Sequence, residues 1–251
     1  MDSVYYDKSK IATYGETTAS PPKNFGGTTD TPPTTWDELR KCARATTKPN
    51  ADPQKAIYGI GDLPFLETLW SAGGEVCDAT KCLLDSDASH EALDFIVSLR
   101  TDGLAHPRAL ANPSSGLDLF LTGRVAMTVA STEHLSYTRN ARFPIGLAPV
   151  PGKNGPISQQ SDNVLVVFTQ HANAKRAAIA AVLDFLTGPA VQDHDAFQAG
   201  SAPTRRSLAK DAPIPEGLQA AFDNSRNTPL IPSWAAIAYE LERGIGGCLA
   251  R

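Results

Sequence analysis

Histidine and cysteine are the side chains of this sequence that could bind a transition metal, which requires ligands at short, regular spacings. The 5 histidines show neither an H-x3-H nor an H-E-x-x-H pattern, and the 4 cysteines match no C-x2-C zinc spacing. These residues are His90, His106, His134, His171, His194, Cys42, Cys77, Cys82 and Cys248. The sequence therefore predicts no metal site and gives no support to a zinc hydrolase.

Pairs of cysteines could instead form disulfides. Cys77 and Cys82 lie five positions apart in a loop, where oxidation would close a small ring, and two free thiols are the alternative. Cys42 and Cys248 could pair if the first and last helices touch, which the sequence alone does not show. Both pairs are therefore possible disulfides at this stage.

Motifs for nucleotide binding and nucleophilic catalysis are incomplete. Gly59-Ile60-Gly61 follows a predicted strand, but Pro64 stands where the third glycine of a dinucleotide fingerprint belongs. There is no GxxxxGKS/T phosphate loop and no GxSxG nucleophile elbow. The run Asp193-His194-Asp195 would point in three directions from a helix, so its side chains cannot converge on one atom. No cofactor is predicted.

Paired carboxylates are the remaining route to catalysis, because glycoside hydrolysis uses two acidic residues at a fixed separation. The candidates are Glu67, Glu75, Asp85 and Asp87. Nothing in the sequence fixes a distance between any two of them. A carbohydrate-active or other hydrolytic enzyme therefore stays open as an alternative.

Length and charge exclude several classes of partner. The chain has 251 residues, which suits one large domain or two modest ones, and 41% of them are hydrophobic, enough for a core. Its 23 basic and 27 acidic residues give a net charge of −4 without a basic run, which argues against nucleic acid or an anionic membrane surface. Met1-Asp2-Ser3-Val4 begins no basic segment or apolar core, so no secretory signal is expected in this chain.

Strand and helix patterns alternate along the chain, which favours an α/β sheet. Thr35 and Glu38 have the spacing of a capping box at the start of a helix over 36–46. A β-branched run at 163–169 predicts a buried strand, and an alanine-rich helix follows it. Further strands are predicted at 4–6, 56–61, 125–130 and 145–149, and further helices at 63–72, 85–103, 112–123, 174–186, 189–199 and 234–242.

Eight segments between residues 4 and 208 occur in an order found in one protein family. They are VYYDK (4–8), PPTTWDEL (32–39), WSAGGEV (70–76), DSDASHEALDFIVSLRTDGL (85–104), FLTGRVAMTV (120–129), APVPG (148–152), NVLVVFTQHANAKRAAIAAVLDFLTGPAVQ (163–192) and SAPTRRSL (201–208). No single segment is specific, but their order resembles the family 1 extracellular solute-binding proteins of bacterial ABC importers, the group that includes the maltose-binding protein.

This resemblance implies an α/β, periplasmic-binding-protein-like (type II) two-lobe fold with an incomplete first lobe. It assigns residues 1–157 to most of the second, C-terminal lobe, 158–205 to a segment that returns to the first lobe, and 206–251 to a return to the second. The opening strands and helices of the first lobe have no counterpart in this chain.

The function implied by the resemblance is the binding of a mono- or oligosaccharide in the cleft between the lobes, without chemical conversion. The expected partners are the sugar and the transmembrane subunits of an ABC permease, with no nucleic acid, and we expect a monomer. The expected location is periplasmic or extracellular, membrane-associated in the full-length form. A truncated lobe without ligand binding of its own is a further alternative beside the enzyme.

The resemblance also nominates ligand-binding residues. The loop after the strand AIYGIG faces the ligand in the family, and the turn after VAMTVA often carries a Gly-x-Trp that is absent here. Sugars stack C–H faces on aromatic rings and hydrogen-bond their hydroxyls to planar polar groups. For each nominated residue, packing or capping is the alternative role. The residues are Asp62, Phe65, Ser131, Thr132, Glu133, Ser161, Asp162, Asn163, Trp234 and Tyr239.

Overall fold

A computed structural model describes residues 2–7, 32–52, 54–78, 80–107, 116–138, 141–160, 165–168, 175–199, 203–209, 217–229 and 231–249. Its helices are α1 (Trp36–Thr46), α2 (Phe65–Ser71), α3 (Asp87–Thr101), α4 (Gly116–Leu121), α5 (Leu135–Thr138), α6 (Arg176–Leu186), α7 (Pro189–Ala199), α8 (Arg206–Ala209), α9 (Leu218–Asp223) and α10 (Trp234–Leu249), with a 3-10 turn at Thr132–His134. Within the described ranges, no helix combines the length and the apolar character that crossing a bilayer requires.

Four strands form the central sheet. They are β1 (Asp2–Asp7), β2 (Tyr58–Ile60), β3 (Val125–Ser131) and β4 (Ile145–Ala148), in the order β2-β3-β1-β4. β1 is antiparallel to both of its neighbours, with Val4 opposite Val129, whereas β2 runs parallel to β3. A separate pair, β5 (Ser158–Gln160) and β6 (Ser225–Asn227), is parallel. The predicted alternation of strands and helices is confirmed.

Neighbouring residues of β1 point to opposite faces of the central sheet. Helices pack on both of these faces. Val4 packs with Leu39 of α1 and Ile96 of α3 in one cluster. Tyr5 packs with Phe120 of α4 in another. Side chains on the two faces of β1 therefore pack in two separate hydrophobic clusters.

The capping box predicted at the start of α1 is present. Thr35 Oγ1 accepts a hydrogen bond from the Glu38 amide at 3.3 Å, and Glu38 Oε2 accepts one from the Thr35 amide, also at 3.3 Å. Partial burial would raise the pKa of Glu38, but hydrogen bonds from Thr34 and Thr35 outweigh it and hold the pKa below its ordinary value. The stability that Glu38 contributes is therefore present above its unfolded pKa and lost as the pH falls through the folded one.

Substituting Thr35→Ala is expected to destabilise the protein by about 1 kcal/mol, because one amide of the first turn of α1 loses its acceptor. Urea unfolding at pH 7 measures the change. Thr35→Ser, which keeps the hydroxyl, serves as the matched control and should fall within a few tenths of a kcal/mol of the wild type. Equal losses in the two variants would mean that packing of the threonine methyl matters and capping does not.

The glycines of the Gly59-Ile60-Gly61 segment are explained by close packing. A Cβ on Gly59 would collide with the backbone oxygen and Cα of Ala43 in α1. A Cβ on Gly61 would lie 2.8 Å from Thr128 Oγ1 on β3. The motif therefore allows α1 and β3 to approach β2 closely, and no phosphate is needed to account for it.

The prediction of a buried strand at 163–169 is wrong for the residues that the structure describes. Residues 165–168 are irregular and exposed, with Val166 at 70% and Phe168 at 68% exposure. A strand needs a neighbour for its amides and carbonyls, and none of the described strands pairs with this segment. The helix predicted after it forms as α6, but its apolar side is exposed too, at Val182 and Phe185.

Candidate ligand-binding cleft

A cavity of about 660 Å³ is lined by residues of α10, the beginning of α2, α4 and the end of β3. This volume is in the range of small-molecule sites. Its lining residues are Asp62, Leu63, Pro64, Phe65, Leu66, Leu117, Asp118, Leu121, Val129, Ala130, His134, Tyr137, Gln159, Trp234, Ala238, Leu241, Glu242, Ile245 and Gly246.

The first wall is the loop between β2 and α2. Asp62 is buried there, and its Oδ1 accepts a hydrogen bond from Thr128 Oγ1 at 2.8 Å. Gly116, the first residue of α4, passes close to this pair, because a Cβ at that position would lie 2.7 Å from both oxygens. The carboxylate of Asp62 is therefore fixed by the sheet and by α4, and Phe65 follows it at the start of α2.

The second wall is α10, whose inner face is anchored in the protein. Trp234, Ile237 and Leu241 pack against a cluster that contains the buried Leu69 and Val76. Trp234 and Leu241 line the cavity as well, together with Glu242 one residue further on. The first turn of α10 thus presents an indole ring to the cavity from a packed support.

The third wall follows the end of β3. His134 ends the 3-10 turn and Tyr137 lies in α5, with their ring centroids 5.9 Å apart. Tyr137 is 62% exposed, so its ring is open to the cavity and to solvent. Gln159 of β5 adds a side-chain amide.

The chemistry of the lining is aromatic and acidic. Phe65, Tyr137 and Trp234 offer ring faces, while three carboxylates, one imidazole and one amide offer hydrogen bonds. No lysine or arginine lines the described part of the cavity. Such a surface suits a ligand with apolar C–H faces and many hydroxyls, and its carboxylates disfavour an anionic one.

The residues nominated from the sequence divide into three groups. Asp62, Phe65 and Trp234 line the cavity together. Ser131, Thr132, Glu133 and Tyr239 are not among the lining residues, although Ala130 and His134 on either side of the first three are. Tyr239 lies on the exposed side of α10, at 64% exposure. Ser161, Asp162 and Asn163 lie outside the described residues, and their role stays a prediction.

Sequence reasoning missed five polar or aromatic lining residues: Asp118, His134, Tyr137, Gln159 and Glu242. They come from α4, from the contiguous turn and α5 after β3, from β5 and from α10, and these elements span residues 116–249. The one usable signal was the position of His134 and Tyr137 just after the turn where the family resemblance placed a ligand contact.

The carboxylates considered for glycoside chemistry do not meet in the cavity. Glu67 is buried in α2, Glu75 forms an ion pair with Arg226, and Asp85 is fully exposed. None of these three, nor Asp87, lines the cavity. Among the described residues, no three His, Cys, Asp or Glu side chains are grouped as metal ligands.

All four cysteines are free thiols in the structure. Cys42 is buried in α1 with its Sγ 3.7 Å from Met127 Sδ, and burial raises the pKa of this thiol to about 12. Cys248 is exposed near the end of α10. A disulfide between Cys42 and Cys248 stays a prediction. It is not favoured by the structure, because Cys42 is buried and Cys248 is exposed.

The chain matches the family model for bacterial extracellular solute-binding proteins over residues 2–221. Maltose-bound MalE3 from T. maritima superposes with a TM-score of 0.79 at 24% identity, covering 100% of this chain and 66% of that one. The GacH receptor of Streptomyces glaucescens, studied unliganded and with acarbose, gives 0.75 at 23% identity, covering 99% and 62%. Maltotriose-bound MalE from Bdellovibrio bacteriovorus gives 0.72 at 19%, covering 99% and 65%.

The fold is the α/β, two-lobe periplasmic-binding-protein type, as the sequence resemblance predicted. This chain spans less than two thirds of the length of each of these three proteins. Because the family model covers most of the chain, the family itself is established. The protein belongs to the bacterial extracellular solute-binding protein family.

Proposed function

We propose that this protein binds a mono- or oligosaccharide in the cleft and presents it, unconverted, to the membrane subunits of an ABC importer. The observation that carries the proposal is the lining itself, which sets the rings of Phe65, Tyr137 and Trp234 among carboxylates and an amide. Aromatic faces that stack on sugar rings and acceptors that bind hydroxyls are what carbohydrate recognition requires. Three proteins of the same fold have been crystallised or studied with maltose, acarbose or maltotriose.

The protein acts outside the cytoplasmic membrane as a monomer, and all the cleft-lining residues described here except Gln159 belong to one lobe. Residues 1–157 and 206–251 form that lobe, while 158–205 belong to the other. The exposed apolar side chains of this middle segment support the division, since Phe168 and Phe185 lie open where a globular protein would bury them. The MalE3 chain is longer than the part that this chain matches, and polypeptide of that kind would cover these side chains.

Calorimetric titration of the chain with maltose, maltotriose and acarbose tests the proposal, with product analysis of each ligand afterwards. Saturable heat with unchanged ligand is the expected result. Release of shorter sugars would instead identify the hydrolytic enzyme considered from the sequence. Size-exclusion chromatography with light scattering checks the monomer in the same samples.

A second candidate is a lobe that has no ligand binding of its own. The exposed apolar surface of residues 165–168 and α6 favours it, because such a surface is what a missing lobe would leave uncovered. This candidate predicts no heat with any of the three sugars and binding of an apolar dye to the exposed surface. Saturable sugar binding by the chain would exclude it.

Anionic sugars are expected to bind at least tenfold more weakly than neutral ones of the same size, because Asp118 and Glu242 line the cleft and none of its described lining residues is a lysine or an arginine. A tenfold difference corresponds to about 1.4 kcal/mol, the size of one screened charge contact. Competition between glucose and glucuronate or glucose 6-phosphate measures it.

Two variants sharpen this test. Asp118→Asn removes one cleft charge and should reduce the difference in affinity between neutral and anionic sugars. Glu240→Gln removes a charge of α10 that pairs with Arg243 outside the cleft, and it should leave that difference unchanged. A higher salt concentration should also reduce the difference in affinity between neutral and anionic sugars. Equal affinity for neutral and anionic sugars at low salt would contradict the acidic lining as a determinant of specificity.

A further inference from the structure

Cys77 and Cys82 lie directly opposite each other in a short antiparallel hairpin before α3. The Leu83 amide donates to the Val76 carbonyl at 2.9 Å, and the Asp78 amide donates to the Lys81 carbonyl at 3.0 Å. These two bonds flank the cysteines, which makes them a non-hydrogen-bonded pair. In such pairs the Cα atoms are about 4.5 Å apart and the side chains share one face, within the range that a disulfide spans.

The turn of this hairpin is held by Asp78. Its Oδ1 accepts hydrogen bonds from the Thr80 amide and hydroxyl, both at 2.7 Å, and from the Lys81 amide at 2.9 Å. The register that sets the two cysteines opposite each other is therefore fixed before any bond forms between them.

Both thiols can be reached by an oxidant, since Cys82 is exposed and Cys77 is half-buried. Cys42 is the contrast, because it is buried against Met127. Cys248 is exposed but lies in α10, away from the hairpin in sequence. Cys77 and Cys82 therefore face each other at a separation that suits a disulfide, and a small oxidant can reach them.

We propose that Cys77 and Cys82 form an intramolecular disulfide that staples this hairpin when the protein meets a disulfide oxidant. The Cys82 thiolate attacks one sulfur of a small-molecule disulfide such as oxidised glutathione, which releases one thiol and leaves a mixed disulfide. The Cys77 thiolate then attacks Cys82 Sγ and releases the second thiol. The two cysteines lose two electrons and two protons, and the oxidant gains them as two thiols.

The staple would lie next to the support of the cleft. Val76 and Leu84, at the two ends of the hairpin, belong to the cluster in which Trp234 packs. Glu75, just before the hairpin, forms a two-oxygen ion pair with Arg226 at 2.6 and 2.7 Å, and the Arg226 guanidinium lies 4.9 Å above the Trp70 ring. The disulfide would therefore restrain a segment that the cleft wall depends on, whatever ligand the cleft takes.

Thiol counting on the complete chain tests the proposal. After equilibration with oxidised glutathione, denatured protein should take up two alkyl groups, and four after reduction. Trypsin cuts after Lys81, so the non-reduced digest should contain peptides 56–81 and 82–100 joined by the disulfide. Four alkylated cysteines after oxidation, or glutathione left on Cys82, would overturn the proposal.

Stability gives a second readout that does not depend on a variant folding. The oxidised wild type should melt roughly 4–8 °C above the reduced wild type, because a short closed loop restricts the unfolded chain. Cys248→Ser should keep this difference, and Cys77→Ser should abolish it. If the difference in melting temperature between oxidised and reduced protein disappeared in Cys248→Ser and persisted in Cys77→Ser, the disulfide would belong to another pair of cysteines.

Discussion

Replacing Trp234 with alanine is expected to weaken maltotriose binding about 30-fold, or by about 2 kcal/mol, the loss typical of a buried aromatic anchor. Trp234 begins α10 and lines the cleft on a packed support. Its indole has the largest ring face of the lining, and alanine would remove both the stacking surface and the apolar area that a sugar covers. Isothermal titration calorimetry on the chain measures the change.

Two companion variants separate stacking from packing. Tyr239→Ala changes an aromatic of the same helix that is exposed and outside the lining, so its affinity should stay within twofold of the wild type. Trp234→Phe keeps a smaller ring and should give an intermediate affinity, while thermal melting reports any loss of packing against Leu69 and Val76. If Tyr239→Ala lost more affinity for maltotriose than Trp234→Ala, Tyr239 would be the ligand contact on α10 and Trp234 would not.

Local sequence signals predicted the parts of the fold whose cause is local. Thr35 and Glu38 gave the beginning of α1, because both groups of the capping box lie within four residues. The strands β1 and β3 were also predicted, since their apolar runs are short and bounded. The run at 163–169 was misassigned because its residue types report a tendency to be buried in a sheet, and burial needs a partner that the pattern does not contain.

The cleft could be predicted only in part, for a related reason. Asp62, Phe65 and Trp234 were found through a resemblance that carries long-range information. His134, Tyr137 and Gln159 reach the same cavity through the pairing of β1 with β3 and of β5 with β6, which no local spacing encodes. Gly59 and Gly61 form only part of a nucleotide-binding fingerprint, and the structure explains them by close packing against Ala43 and Thr128.

Substituting Gly59→Ala is expected to destabilise the protein by about 3 kcal/mol, the upper end of the usual cost of overpacking. The added Cβ would collide with backbone atoms of Ala43, and a backbone cannot rotate away as a side chain can. Either α1 moves off β2, exposing part of the cluster around Leu39, or the strand shifts and its amide loses the bond to the Leu104 carbonyl at 3.0 Å. Urea unfolding monitored by tryptophan fluorescence and circular dichroism measures the loss.

Gly244→Ala is the matched control, because it makes the same chemical change in the interior of α10, where a Cβ would meet nothing within 4 Å. There the substitution should stabilise the protein by about 0.5–1 kcal/mol, since alanine favours a helix over glycine. The two variants should therefore shift the urea midpoint in opposite directions. If Gly59→Ala shifted it as Gly244→Ala does, the glycine of β2 would not be required for the contact with α1, and a ligand-related reason for the Gly59-Ile60-Gly61 segment would have to be sought.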